Sequence, residues 1–174
     1  GQLGPEVSYE MPAPRSFALS NLGRNRVDYL VSVLNLSGRL RLAKVVVDRR
    51  EARYPVFTYP LPKTGNADKR DVASSDLNGD GLLDVVVTDP GQAEFLLYLG
   101  APGGRLATPR RFPGLVEMTE LRSGDLDGDG NDEIVALSQK EKLIGVSRLK
   151  QGRLGFPDAV KVVGEPIAMD LADH

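Results

Sequence analysis

The chain of 174 residues has no cysteine, and its one histidine is the last residue, His174. The first absence removes disulfides, thiol nucleophiles, iron–sulfur clusters and cysteine-ligated zinc. The second disfavours a Ser-His-Asp triad, a multi-histidine metal site and a histidine general base. Excess positive charge is also missing. With 22 basic and 24 acidic residues, net −2, the chain has no field to collect a phosphate backbone, so nucleic acid is not an expected partner. No apolar run exceeds the five residues Phe95 to Leu99, against roughly 20 for a bilayer, so no membrane span is expected. The opening GQLGPEVSYEMPAPR lacks both an initiator methionine and a signal-peptide pattern, and reads as the start of a mature or excised piece. Carboxylates are the main chemical resource left.

What is there is ordinary for a soluble globular protein: 41% hydrophobic and 26% charged residues, with 19 glycines and 12 prolines to punctuate many short elements. The sequence also repeats. Asp76 to Thr88 reads DLNGDGLLDVVVT and Asp125 to Leu137 reads DLDGDGNDEIVAL, 49 residues later. Weaker echoes flank them, at Pro166 to Asp173 (PIAMDLAD) and at Phe17 to Val31 (FALSNLGRNRVDYLV), and Gly-Arg-Leu recurs at Gly104 and Gly152. Short strands are expected at Asp28–Leu34, Leu40–Val47, Val56–Tyr59, Val85–Thr88, Phe95–Leu99, Ile134–Leu137, Leu143–Leu149 and Val160–Val163. No long helical period is visible. About four strands per 49 residues predicts an all-β array of propeller-type blades in an incomplete ring, because 174 residues hold fewer than four such units. The unit boundaries are 1–66, 67–116 and 117–165, with a further unit starting at 166–174.

Each strong loop places oxygen side chains at positions 1, 3, 5 and 9: Asp76, Asn78, Asp80 and Asp84, then Asp125, Asp127, Asp129 and Glu133. Calcium takes six to eight hard oxygens, and a tightly wound loop turns alternate side chains onto one point. Gly81 and Gly130 supply the sharp bend at position 6, and Leu82 and Asn131 would add main-chain carbonyls. A polar turn alone needs no such run of mutually repelling carboxylates, so two calcium sites are expected. An EF-hand would require an acid at position 12, where Val87 and Ala136 stand inside apolar runs. The upstream echo, with Asn21, Arg24, Asn25 and Asp28, has lost its acidic set and is not expected to bind.

A loop closed at position 9, feeding a strand and repeated every 49 residues, resembles the FG-GAP and VCBS-type repeats of calcium-binding β-propellers, including those of integrin alpha chains. The resemblance implies a calcium-stabilised extracellular, cell-surface or periplasmic scaffold for binding or adhesion to protein or carbohydrate. Further blades or a partner chain would complete the sheet array. The alternative is the propeller part of a secreted polysaccharide-degrading enzyme, against which stand the lack of any histidine but the terminal His174 and the lack of any paired acid and base beyond single carboxylates such as Glu117, Glu120 and Asp158. Tyr54, Phe57 and Tyr59 read as packing between blades rather than a sugar platform. Arg49-Arg50, Lys69-Arg70 and Arg110-Arg111 read as solvated faces.

Overall fold

Short runs rich in valine and leucine, separated by Gly and Pro turns, form antiparallel strands throughout, and the all-β expectation holds. The computed structural model describes residues 13–22, 27–34, 38–45 and 56–171, leaving Arg24, Asn25, Tyr54 and the Arg49-Arg50 pair outside. Helix is limited, among the described residues, to one 3₁₀ turn at Ala67–Lys69. No described helix is long and apolar enough to cross a membrane.

The first sheet runs in chain order through β1 (Pro14–Leu22), β2 (Val27–Leu34), β3 (Arg39–Val45) and β4 (Val56–Pro60). The second begins with β5 (Val72–Ser75), β6 (Asp84–Asp89) and β7 (Glu94–Tyr98). A small hairpin follows, β8 (Gly100–Ala101) with β9 (Arg105–Leu106), and β10 (Arg110–Pro113) then closes the sheet beside β7. The third repeats this plan with β11 (Met118–Gly124), β12 (Glu133–Ser138) and β13 (Leu143–Ser147), a hairpin of β14 (Leu149–Lys150) and β15 (Arg153–Leu154), and β16 (Asp158–Val160). The first strands stand side by side, β5 touching β1 on one flank and β11 on the other.

The second sheet lies between the other two, and its sequence shows why. Val85, Val87, Leu96 and Tyr98 pack with Val31, Leu40 and Leu42 of the first sheet. Their alternates Val86, Phe95 and Leu97 pack with Met118, Leu121, Ile134 and Ala136 of the third. Side chains alternate across a strand, so burial on both faces requires an unbroken apolar run. In β3, by contrast, Leu40 and Leu42 are buried while Arg39 is exposed.

Two acids tie consecutive first strands together. Asp71 accepts a bond from the Ser16 hydroxyl and another from the Leu121 N–H at 2.8 Å. Glu120, 49 residues later, accepts from the Met169 N–H at 3.0 Å. Residues 167–171 therefore run beside β11 much as β11 runs beside β5.

Seven strands were not expected: β1, β5, β10 and β11 of the four-stranded sheets, and β8, β9 and β15 of the small hairpins. Two expected ones end early. The Val160–Val163 run stops at Val160 because only three residues of this edge strand find partners on β13, and Val163 is fully exposed. The Leu143–Leu149 run breaks at Arg148, whose guanidinium turns to a neighbouring loop. Lys69-Arg70 is not a solvated pair: Arg70 is buried, 3.3 Å from buried Asp89, and donates to the Pro62 carbonyl at 2.6 Å and the Thr64 hydroxyl at 2.7 Å. Phe57 and Tyr59 do pack between sheets, Phe57 under Arg105 at 5.5 Å and Tyr59 against Tyr98 at 6.1 Å.

Removing one member of the Arg70–Asp89 pair strands a buried charge. Arg70→Met is expected to cost about 3–5 kcal/mol in urea unfolding, whereas Arg70→Met with Asp89→Leu should recover most of that loss. Equal losses in the single and double variants would show that the pair carries no such charge.

Candidate metal centre

The two acidic loops occupy the same place in successive sheets, 76–83 between β5 and β6, and 125–132 between β11 and β12. Three contacts recur in both. The position 1 carboxylate accepts from the position 6 N–H, Asp76 from Gly81 at 2.7 Å and Asp125 from Gly130 at 3.0 Å. Position 5 accepts from the position 7 N–H, Asp80 from Leu82 and Asp129 from Asn131, both at 2.8 Å. Position 9 accepts from the position 2 N–H, Asp84 from Leu77 at 3.0 Å and Glu133 from Leu126 at 2.9 Å. Gly81 and Gly130 take φ of 80° and 89°, the left-handed region where a side chain is strained. Leu82 and Asn131 are thus placed in the loops as donors through their amides.

In the second loop three of the four acids converge, with Asp129 outside the group, whereas Asp76, Asp80 and Asp84 of the first loop form no such trio. Carboxylate oxygens of Asp125, Asp127 and Glu133 all lie within 4.8 Å of one another, the one trio of acids this close among the described residues. In the first loop an amide, Asn78, replaces Asp127; its Oδ1 accepts from the Asp80 N–H at 3.1 Å and its Nδ2 donates to Asp80 at 3.0 Å. An all-oxygen donor set on a tight loop fits a hard divalent cation such as calcium and offers nothing to a soft metal. The loops also adjoin: a Cβ on Gly79 would stand 2.9 Å from the Asn131 Oδ1.

The position 9 acids differ in their second partner. Gly100 approaches the first loop so closely that a Cβ there would lie 2.6 Å from that of Leu82, and its N–H reaches the other oxygen of Asp84 at 2.7 Å. At the matching places in the third sheet stand Arg148 and Leu149 instead of Leu99 and Gly100. Arg148 puts its Nε 3.3 Å from Asp127 and 3.5 Å from Glu133, a cation among the loop's acids. No nonapeptide spacing could reveal it, because it arrives from β13; aligning the two units at Leu99 and Arg148 is the signal that exposes it.

Burial pushes the Asp84 carboxyl up to about 6; the Gly100 and Leu77 N–H groups oppose that rise, and the charges of Asp80 and Asp76 add to it. Asp129, fully exposed, is held below the ordinary carboxylate range by the Asn131 main-chain and side-chain donors, with Arg148 and Lys150 assisting. Of the single carboxylates noted in the sequence, Glu120 is engaged with Met169 and lies 3.9 Å from Arg122, while Asp158 stands exposed on β16. A cleft of about 1410 Å³ opens along the first strands, with Ser16, Ser20, Asp71, Ser74 and Arg122 on its walls.

Without calcium, Asp84 binds its proton more tightly folded than unfolded. Its contribution to stability is therefore full below its unfolded value of 3.8 and is lost as pH rises through about 6. Urea midpoints measured between about pH 4 and 7.5 are expected to fall over that window in the parent chain. In Asp84→Asn, which stays neutral, the same window should be flat, and an unchanged slope would contradict the assignment.

No curated protein matches the chain. Residues 76–136, from the first acidic loop into the strand that leaves the second, match the family model of the FG-GAP-like repeat.

Proposed function

We propose that the chain is a calcium-stabilised segment of a β-propeller that serves as an extracellular binding scaffold for protein or carbohydrate. Its three sheets would be blades of the units 1–66, 67–116 and 117–165, with 166–174 opening the next. The reading rests on one observation above others: both loops hold their position 1, 5 and 9 carboxylates through the same three contacts. Asp76, Asn78, Asp80 and Asp84, with Leu82, would hold one calcium ion, and Asp125, Asp127, Asp129 and Glu133, with Asn131, a second. The ion's chemistry here is structural: it neutralises carboxylates that the fold crowds together. A ligand that binds the folded loops alone adds about 2.7 kcal/mol of stability per site at a hundredfold excess over Kd.

Apolar surface at both ends supports further blades or a partner chain. On the outer face of the first sheet Phe17 and Leu19 are exposed by 61% and 66%. Leu77 packs in the core between the second and third sheets, whereas Leu126, its counterpart one unit later, is 47% exposed, with no further four-stranded sheet among the described residues to meet it. Three or four carboxylates without a bidentate twelfth ligand match the weaker affinities of extracellular modules, about 10⁻⁴ to 10⁻³ M, and this is the ground for an extracellular, cell-surface or periplasmic setting.

Calorimetry on chelated protein should count two calcium ions, with Asp80→Ala and Asp129→Ala each removing one; a count of zero ends the reading. Because Arg148 competes for the second loop's charge, Arg148→Gln should tighten that site severalfold and leave the first unchanged. Polysaccharide turnover abolished by Glu117→Gln or Asp158→Asn would replace the scaffold with an enzyme.

A further inference from the structure

The hairpin of β14 and β15 brings positive charges together. Lys150 and Arg153 are register partners directly across this two-stranded ribbon, and both are exposed. Like charges placed opposite one another destabilise a strand pair. Neither forms an ion pair among the described residues. Arg110 adds a third cation from the second sheet, its guanidinium so near the turn that a Cβ on Gly152 would lie 3.5 Å from it. Arg148, already facing Asp127 and Glu133, stands at the root of the hairpin, and Asp158 sets one carboxylate among these cations. Together with Gly155, Phe156 and Asp158, the residues Arg148, Lys150 and Arg153 line an open cleft of about 390 Å³. Phe156 presents a ring that is 61% exposed beside these cations.

We infer that this cleft binds an acidic polysaccharide, taking a carboxylate or sulfate between Lys150 and Arg153 and a sugar ring against Phe156. The inference rests on the scaffold reading above and names the ligand class. An anion removes the repulsion across the hairpin, and the flat apolar ring of Phe156 suits the C–H face of a pyranose while its neighbours take the charge. A nucleic acid fits less well. Asp127 lies 3.3 Å from the Arg148 Nε, at the border of the cleft. A dense phosphodiester chain would be repelled there, whereas a saccharide carrying one charge per ring need place only that charge among the cations. An acidic peptide would use the cations and leave Phe156 idle.

The test measures binding of the full chain to oligogalacturonate and to dextran sulfate, with unmodified dextran, poly-glutamate and single-stranded DNA as comparisons, each in chelator and in calcium. One or both acidic glycans should bind and weaken as salt rises, and unmodified dextran should not bind. Oligogalacturonate alone would assign a carboxylate ligand and dextran sulfate alone a sulfate ligand. Lys150→Glu with Arg153→Glu should weaken binding at least tenfold, and Phe156→Ala severalfold, in proteins whose circular dichroism and melting match the parent. Should the charge-reversed variant fail to fold, Lys150→Gln with Arg153→Gln answers the same question. Binding unaffected by these substitutions, equal binding of dextran, tighter binding of poly-glutamate or DNA, or no glycan binding at all overturns the inference. Cleft-dependent binding that persists in chelator, in a protein that takes up no calcium, would uphold the cleft while the calcium reading fails. Calcium uptake with no glycan bound would do the reverse.

Discussion

The arrangement of both loops depends on a carboxylate buried where the loop returns to the sheet. Asp84 is wholly buried and Glu133 nearly so, each as the first residue of the second strand of its sheet. A buried charge is tolerated only when hydrogen-bonded or paired, so the chain must bring donors to it. Leu77 and Leu126 give their N–H groups, which pulls the start of each loop back over its end. With both ends pinned, Asp125 and Asp127 close on Glu133 in the second loop. The metal-like spacing of the sequence and the buried acid of the structure are thus one constraint met from two directions.

How that charge is balanced differs between the units. In the second sheet, glycine at position 100 lets the main chain approach and donate a second hydrogen bond to Asp84. Leucine at 149 offers no such approach, and the neighbouring residue, 148, is an arginine whose guanidinium faces Asp127 and Glu133. One loop keeps an acid pushed toward neutrality, and the other carries its own cation. Two loops of nearly the same sequence therefore balance their acids in different ways.

Much of this was legible in the sequence, for physical reasons that also explain the omissions. The runs Val85-Val86-Val87 and Phe95 to Leu99 announce strands because both of their faces are covered. β5 and β11 are less visible. Val-Ala-Ser-Ser and Met-Thr-Glu-Leu-Arg-Ser-Gly lie where first strands crowd together, small and polar side chains facing the adjacent strand or the cleft. Ser20 and Ser74, for example, bring their hydroxyls to 2.6 Å of each other across β1 and β5. A reading based on β-branched and apolar content passes over such segments, although the repeat period brackets them. The acids of the loops were found by spacing alone, since their order in the chain is their order around the turn. Arg148, Arg70 and the Lys150–Arg153 pairing were not, because each acquires its meaning from a residue brought near only by the sheets.

Arg148 stands at the junction of these features. It lines the hairpin cleft on one side and faces the acids of the second loop on the other. On the proposed reading a calcium ion takes over the neutralisation of Asp127 and Glu133, which loosens the hold of those acids on the guanidinium and raises the positive potential of the cleft. An anion seated in the cleft draws on the same guanidinium and so leaves the loop acids more exposed to a divalent cation. Coupling of this kind is reciprocal in free energy: whatever calcium adds to anion affinity, the anion must add to calcium affinity. The first loop, with Leu99 where the second has Arg148, has no such link. On that reading the two loops divide their work, one bracing the interior of the array and the other placed to make a binding surface respond to calcium.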